Sequence, residues 1–216
     1  MTNKIIGIQG DKLDKINISS DTSIFLAHEA QKLGYKIFYY TPSNLSIIKN
    51  KTYANGLFQK FNYERKKFYK IYKKQKINVE NLKFILIRQD PPFNSEYLIT
   101  TLILDGLKKV KVINNPTAIR NVSEKLYSKH FIKYMPNTLF SNNIVEIKKF
   151  YNQNKSIIMK PINGYGGNQI HLIKDKFNKK LITNFLNKNG HSMFQKFLKN
   201  ISKGDKRVFI INGKVC

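Results

Sequence analysis

The sequence predicts an α/β protein in which a parallel sheet is followed by a second unit built around antiparallel strands. Short apolar runs alternate with helical stretches in the first half, and a glycine loop joins two strand-like segments in the second half. A chain of 216 residues can bury one sizeable core or two small ones. We place the boundary near residue 120, which gives predicted domains at residues 1–120 and 121–216.

The first domain opens with a strand, a helix and a second strand. Residues 4–9 form a buried strand, Asp21 or Thr22 caps the helix, Gly34 ends it, and residues 36–41 form the second strand. This order is typical of a parallel sheet with covering helices. The helix is expected to bury an apolar face made of Phe25, Leu26, Ala30 and Leu33.

Residues 42–82 are harder to interpret. Asn55-Gly56 is a turn signal. The basic stretch at residues 65–76, which interleaves lysines with aromatic residues, is compatible with either a helix or an exposed strand.

The first domain is expected to end with a strand, a helix and another strand. The buried strand at residues 83–87 runs into the segment Arg88-Gln89-Asp90-Pro91-Pro92-Phe93, a helix covers residues 95–108, and a strand covers residues 110–113. Asn114-Asn115-Pro116 then closes the unit. Ligands bind at the carboxyl ends of strands in open α/β sheets, so Arg88 and Asp90 are well placed for function.

The second domain alternates helices and strands around one lysine. The predicted elements are helix 123–132, strand 138–140, helix 143–153, the strand leading to Lys160, helix 179–186 and strand 193–197.

A glycine loop follows the lysine strand. Gly164-Tyr165-Gly166-Gly167 comes directly after Lys160-Pro161, and a second strand begins at Gln169. Glycines let backbone N–H groups approach a phosphate, and a lysine adds a point charge beside them. Since no helix is expected after the loop, it differs from a Walker loop and is interpreted as a hairpin lid over phosphates. A glycine-rich turn beside an ordinary lysine is the alternative.

The last residues indicate an interrupted hairpin. Residues 207–211 begin a strand, Asn212-Gly213 is a hairpin turn, and the chain stops at Cys216. Three returning residues are too few to pair in our interpretation. We therefore expect a truncated chain whose strand at residues 207–211 lacks a partner.

The net charge of +26 would suit a nucleic-acid-binding protein, but 35 of the 39 basic residues are lysine, as an AT-biased genome would encode on any fold. We therefore do not expect nucleic acid as a partner. The arginines that remain inside motif-like segments, Arg88 and Arg207, indicate a need for a planar guanidinium. The apolar runs are too short for a membrane span, no signal peptide begins the chain, and a single cysteine excludes an internal disulfide. These features predict a cytoplasmic protein without a membrane partner.

Several segments, taken in order, resemble the prokaryotic glutathione synthetase family of ATP-grasp ligases. They span nearly the whole chain, and the ordered set is specific although each piece is weak. The segments are Ile16-Asn17-Ile18, Asp21-Thr22-Ser23, Arg88-Gln89-Asp90-Pro91-Pro92-Phe93, Asn114-Asn115-Pro116, Asn121-Val122-Ser123-Glu124-Lys125-Leu126, Met159-Lys160-Pro161, Gly164-Tyr165-Gly166-Gly167, Gln195-Lys196-Phe197-Leu198 and Gly204-Asp205-Lys206-Arg207-Val208.

The resemblance implies a parallel-sheet pre-ATP-grasp domain followed by an incomplete ATP-grasp domain. It also implies ligation of glycine to γ-glutamylcysteine, driven by ATP through an acyl phosphate, and it allows a homo-oligomer. Arg88 would approach the peptide substrate and Arg207 the reacting phosphate, as catalytic residues. The residues implied to bind the nucleotide are Lys125, Lys160, Gly164, Tyr165, Gly166, Gly167, Gln195, Lys196, Phe197, Leu198 and Asp205.

The metal ion is the main departure from the family pattern. The family uses Mg²⁺ or Mn²⁺ with ATP, and a hard cation needs several oxygen ligands, but Asp205 is the only acidic residue after Phe197. We therefore name no metal ligand in this chain, expect the ligands beyond Cys216, and expect the chain to be inactive as a fragment. The alternatives are another ATP-grasp carboxylate–amine ligase of the glutamate ligase type, or a basic nucleic-acid-binding protein.

Overall fold

The computed structural model describes residues 4–19, 21–64, 66–211 and 213–216. It divides into two compact units, Met1–Ser123 and Glu124–Cys216, which are described separately below. Arg65, the first residue of the predicted basic stretch, and Asn212, in the predicted hairpin turn, lie outside the described residues.

A seven-stranded sheet forms the framework of the first unit. Strands β1, β2, β6 and β7 form its parallel part in the order β2-β1-β6-β7, which confirms the predicted parallel sheet. Strand β4 pairs antiparallel with β2, β3 and β5, which extends the sheet on one side. The strand bounds are β1 Ile5–Gln9, β2 Lys36–Tyr40, β3 Leu45–Ile48, β4 Lys51–Phe61, β5 Tyr69–Asn78, β6 Phe84–Ile87 and β7 Lys111–Ile113.

The described residues of this unit form three α-helices: α1 Thr22–Lys32, α2 Ser95–Asp105 and α3 Pro116–Asn121. Asp21 caps α1, because its side chain accepts a hydrogen bond from the Ile24 N–H at 2.9 Å. The predicted apolar face of α1 is wrong for three of its four residues, whereas the fourth, Ala30, is partly buried and packs against the core as expected. Ile24 and Ala27 are buried against the sheet, whereas Phe25, Leu26 and Leu33 are exposed. The α1 stripe that the sheet covers is thus rotated from the predicted one, and it includes small residues.

The turn predicted at Asn55-Gly56 is also wrong, because both residues lie inside the long strand β4. A Cβ atom on Gly56 would approach the Phe38 ring to 2.4 Å, so the glycine allows a close approach between β4 and β2. Residues 69–76 of the basic stretch that was left open belong to strand β5. In β5, residues 70–76 are all exposed. Among the described strands, β4 is the only one that pairs with β5.

Apolar side chains fill both faces of the first sheet. One cluster joins the β2, β4 and β6 side chains to Leu104 of α2, and the other joins β1 and β2 to Ile24 and Ala27 of α1. Successive strand residues point to opposite faces, which explains why neighbouring Phe38 and Tyr39 belong to different clusters.

The second unit contains a four-stranded antiparallel sheet in the order β10-β9-β11-β8. One face packs on two helices through Ile157, Met159 and Phe194. This arrangement agrees with the predicted α+β, ATP-grasp type of unit. The bounds are β8 Thr138–Ser141, α4 Ile144–Asn154, β9 Ile157–Pro161, β10 His171–Ile173, α5 Lys179–Asn189 and β11 Ser192–Lys196.

The segment at residues 116–134 departs from the prediction. A helix was expected at residues 123–132, but the chain forms α3 at Pro116–Asn121 and then a 3-10 helix at Tyr127–Tyr134. Pro116 is favourable at the first position of a helix, and Asn115 caps it by accepting from the Ala118 N–H at 2.9 Å. The start signal was therefore present in Asn115-Pro116.

The end of the chain forms a short hairpin, and the prediction that residues 207–211 lack a partner is wrong. Strand β12, Ile210–Ile211, pairs antiparallel with β13, Lys214–Val215. The Cys216 N–H also donates to the Phe209 carbonyl at 2.9 Å. Three returning residues are thus enough to form a ladder, although every described side chain in it is exposed.

Candidate functional site

The lysine strand and the glycine loop form the predicted hairpin. Strand β9 delivers Lys160, and its partner β10 returns antiparallel with His171 opposite Met159. In the part of the chain that the structure describes, no helix begins directly at Gly167 and the next regular element is strand β10, which agrees with the lid interpretation. Gly166 and Gly167 adopt φ of +57° and +74°, a region that favours glycine. The two glycines therefore lie where the hairpin has positive φ angles, as the sequence predicted.

Lys125 and Lys160 act on each other electrostatically. Burial, followed by the positive charge of Lys125, lowers the pKa of Lys160. The Lys125 side chain is 14% exposed, its ammonium donates to the carbonyl oxygen of Gly164, and it lies 3.6 Å from the exposed carboxylate of Glu124. Two lysines that are distant in sequence thus share one region with the glycine loop, which could hold an anion.

The Lys160 ammonium is held by a neighbouring strand. Lys160 lies opposite Met193, and Gln195 lies two residues further along β11 on the same face of the sheet. The Lys160 Nζ donates to Gln195 Oε1 at 2.9 Å. Gln195 Nε2 in turn donates to Thr138 Oγ1 at 3.0 Å, and the Thr138 hydroxyl donates to the Pro136 carbonyl at 2.7 Å. Sequence reasoning missed Thr138, because only the register between β8 and β11 reveals it.

Two of the three residues after Gln195 use their backbone N–H groups in hydrogen bonds within the protein. The Lys196 N–H donates to the Asn137 carbonyl at 2.8 Å and the Phe197 N–H donates to the Ser156 carbonyl at 2.9 Å. The Lys196 and Leu198 side chains are exposed. Leu198 comes directly after the two engaged N–H groups and can present its own N–H to a ligand, whereas its carbonyl already accepts from the Ile201 N–H at 3.2 Å.

The remaining predicted residues of the second unit do not join this cluster in the described contacts. Tyr165 is 41% exposed, and Asp205 and Arg207 are exposed on a segment without regular structure. No hydrogen bond or ion pair among the described residues ties Asp205 or Arg207 to Lys125 or Lys160. Their predicted roles are not visible in this geometry.

A second polar cluster lies in the first unit, at the carboxyl ends of β1 and β6. Arg88 Nη2 donates to Thr22 Oγ1 at 2.7 Å, and Arg88 Nε donates to Ser23 Oγ at 3.0 Å. Because its described partners are neutral hydroxyls, Arg88 keeps a charge that can bind a carboxylate. The α1 N-terminus and β6 thus position this guanidinium together.

Asp90, two residues after that arginine, lies within electrostatic reach of two further carboxylates. The Asp90 N–H donates to Asp11 Oδ2 at 2.8 Å. Burial, and then the charges of Asp11 and Asp21, raise the pKa of Asp90, while Arg88 opposes the shift. Asp11 was not predicted, although it follows β1 at the same sheet edge where Arg88 follows β6. That shared edge was the signal that could have identified it.

An open cavity of about 860 Å³ adjoins the same end of β2. Its polar lining includes Lys12, Asp14, Thr41 and Lys74, and Tyr39 contributes an aromatic wall. The Tyr39 hydroxyl donates to the Asp11 carbonyl at 2.6 Å, which links the cavity to the carboxylate cluster. The volume suits a small polar ligand.

The described residues do not form a metal site by themselves. Within residues 4–19, 21–64, 66–211 and 213–216, no three His, Cys, Asp or Glu side chains come together as potential ligands. None of the helices described there is both long and apolar enough to cross a membrane.

Comparison with known proteins identifies two matching family models. The N-terminal domain of prokaryotic glutathione synthetase matches residues 5–120, and its ATP-grasp domain matches residues 124–216. The chain is 36% identical to the glutathione synthetase of Buchnera aphidicola subsp. Acyrthosiphon pisum over 214 residues, and 34% identical to that of Salmonella typhimurium over 214 residues. These alignments cover 97% of this chain and 67% and 68% of the two relatives. The chain therefore spans about two thirds of their length.

Solved structures show the same fold at low identity. An ATP-grasp ligase PsnB, complexed with a phosphomimetic precursor variant, Mg and ADP, aligns with a TM-score of 0.59 at 15% identity, over 99% of this chain and 70% of its own. The D-alanyl-alanine synthetase A of Vibrio cholerae aligns with a TM-score of 0.56 at 15% identity, over 100% of this chain and 65% of its own. These similarities concern the fold alone.

Proposed function

The chain belongs to the prokaryotic glutathione synthetase family of ATP-dependent carboxylate–amine ligases, and we propose that its two units divide the ligation of glycine to γ-glutamylcysteine. The second unit holds ATP, and the first unit holds the peptide substrate. Glutamate ligation and nucleic-acid binding are not favoured, because both family models and the curated relatives belong to glutathione synthetase.

The reaction needs charge neutralisation and alignment rather than a protein nucleophile. The γ-phosphoryl group of ATP passes to the substrate carboxylate and gives ADP and an acyl phosphate. The amine of glycine then attacks the acyl carbon, phosphate leaves, and the amine loses a proton. Cations and backbone amides that surround the phosphates stabilise such transfers.

The observation that carries the proposal is the electrostatic coupling of Lys125 and Lys160 beside the glycine loop. Two ammonium groups repel each other and gain from an anion placed between them, so polyphosphate is the ligand that this region favours. The backbone of residues 164–167 would cover the phosphates, and the Leu198 backbone would read the adenine edge. Gln195, by contrast, uses its side chain on Lys160.

Arg88 is the residue we propose to bind the carboxylate of the peptide substrate. Its neutral partners Thr22 and Ser23 fix the guanidinium without neutralising it. Asp205 and Arg207 are proposed to approach the nucleotide and its reacting phosphate, on the strength of the family resemblance of their segment.

Mg²⁺ or Mn²⁺ is proposed to accompany ATP and would neutralise phosphate charge when bound. The described residues do not fit such a site on their own, so no step is assigned to it. We also propose a cytoplasmic location, where ATP is available, and a homo-oligomeric assembly as the resemblance allows.

Replacing Lys160 by Met tests the proposal. We expect ATP affinity to fall by about 1.5 to 3 kcal/mol, the value of a hydrogen bond to a charged group. Isothermal titration calorimetry measures this loss. Lys148→Met is the matched control, because it removes an exposed lysine on α4 of the same unit. Equal ATP affinities for the Lys160→Met variant and the unmodified protein would contradict the proposal.

A further inference from the structure

Gln195 occupies a position where only one orientation of its amide satisfies both neighbours. It is 7% exposed and lies directly opposite Thr138 in the β8–β11 ladder. An ammonium group can only donate a hydrogen bond, so the atom that faces Lys160 must be the amide oxygen. The amide nitrogen then needs an acceptor on its other side.

Thr138 provides that acceptor, and its own geometry fixes the direction of the chain. Its hydroxyl has one hydrogen, which it donates to the Pro136 carbonyl at 2.7 Å. The oxygen therefore remains free to accept from Gln195 Nε2 at 3.0 Å. A fixed carbonyl thus orients a hydroxyl, the hydroxyl orients an amide, and the amide oxygen faces an ammonium.

We infer that Thr138 is a positioning residue for the phosphate-binding lysine, because it holds the Gln195 amide so that its oxygen keeps the Lys160 ammonium in place. Thr138 touches no nucleotide in this scheme and acts only through Gln195 and Lys160. The inference rests on the proposed function, in which Lys160 contacts the phosphates of ATP.

The energetic reason is that Lys160 must remain charged in a partly buried place. Burial and the charge of Lys125 favour its neutral form, whereas the charge of Glu124 favours the charged form. The Gln195 oxygen, as a hydrogen-bond acceptor, also favours the charged form. Loss of the Thr138 oxygen leaves the Gln195 nitrogen buried without an acceptor, so Gln195 reorients and its hold on Lys160 weakens. Lys160 should then lose its proton at a lower pH.

A double-mutant cycle measures this dependence. Thr138→Val should lower ATP affinity about fivefold, an effect of the order of one hydrogen bond, and Thr138→Ser should restore it to within about twofold, because serine keeps the oxygen. In a Lys160→Met background, Thr138→Val should change the affinity less than about twofold, since residues that act through one group are not additive. Provided that Lys160→Met itself weakens ATP binding, the same fivefold loss in both backgrounds, or no loss in either, would overturn the inference.

A second measurement needs no nucleotide. Acetylation of Lys160 by an N-hydroxysuccinimide ester, followed by peptide mass spectrometry, should be faster in Thr138→Val by about twofold or more at fixed pH, because more of the amine is neutral. Thr101→Val is the matched control, since it removes another buried hydroxyl, in the first unit. Unchanged Lys160 acetylation refutes the positioning role.

The two measurements separate the two hypotheses. If Lys160→Met does not change ATP affinity, the proposed nucleotide site fails, while the acetylation result still decides whether Thr138 positions Lys160. If Lys160→Met weakens ATP binding and Thr138→Val changes neither quantity, only the inference about Thr138 fails.

Discussion

Asp90 destabilises the folded protein when its carboxylate is ionised. Its pKa is raised, so the folded protein holds the Asp90 proton more tightly than the unfolded chain does. The contribution of Asp90 to stability therefore decreases as the pH rises from below the ordinary value of 3.8 through the raised pKa. At neutral pH the ionised carboxylate is repelled by Asp11 and Asp21.

We predict that Asp90→Asn stabilises the protein at pH 7 and has little effect at pH 3. Because the group is largely exposed and solvent screens the repulsion, we expect an increase in melting temperature of only about 1 to 2 °C. Differential scanning calorimetry at the two pH values measures it. The exposed Asp14→Asn serves as the control, and a lower melting temperature for Asp90→Asn at pH 7 would speak against the repulsion argument.

At the scale of secondary structure, local signals predicted most elements and failed where packing decided. Asp21, Asn143 and Asn178 each cap a helix that was expected from the sequence, since a cap joins residues only two or three positions apart. The lysine strand and its glycine hairpin were predictable for the same reason. The buried face of α1 and the path of Asn55-Gly56 were not, because both depend on which side chains of β2 lie opposite.

The candidate site shows the same division. Lys160 and the loop at residues 164–167 follow from the sequence, whereas the contact between Gln195 and Thr138 joins residues 57 positions apart. Such a contact depends on strand register. A shift of the pairing by one residue would move the side chain to the other face of the sheet. No local pattern around Thr138 distinguishes it from an ordinary strand threonine.

A pair of glycine substitutions tests the account of β4. Gly56→Ala would place Cβ at 2.4 Å from Phe38 and 2.7 Å from the Tyr39 carbonyl oxygen, so we expect a loss of about 1 to 3 kcal/mol in unfolding free energy. Gly106→Ala, at the end of α2, meets nothing closer than 3.6 Å and should be neutral or slightly stabilising. Urea denaturation measures both. Equal effects would show that the close approach at Gly56 is unimportant.

At the scale of the whole molecule, the charge of +26 is poorly compensated. The described residues contain three ion pairs, and none of them involves strand β5. Lys60 and Lys70 even lie directly opposite each other across the β4–β5 ladder, an arrangement of like charges that is destabilising. The described ion pairs therefore balance only a small part of the positive charge.

We therefore predict that added salt stabilises the protein. Raising NaCl from about 50 to about 200 mM shortens the screening length and should increase the melting temperature, because net repulsion opposes the compact state. Scanning fluorimetry in NaCl, with equal ionic strengths of potassium chloride as the control, measures the trend. A melting temperature that falls with both salts would indicate that attractive ion pairs dominate instead.

Strand β5 gives this charge a protective role at one edge of the sheet. A ten-residue strand with an unpaired side among the described residues is a template on which a second copy could add its own strand. Lysines at positions 70, 73, 74 and 76 make that approach repulsive. The lysine excess that we attribute to an AT-biased genome therefore also opposes aggregation at this edge. Replacing these lysines by valine or threonine would remove the charge repulsion that opposes strand pairing between copies.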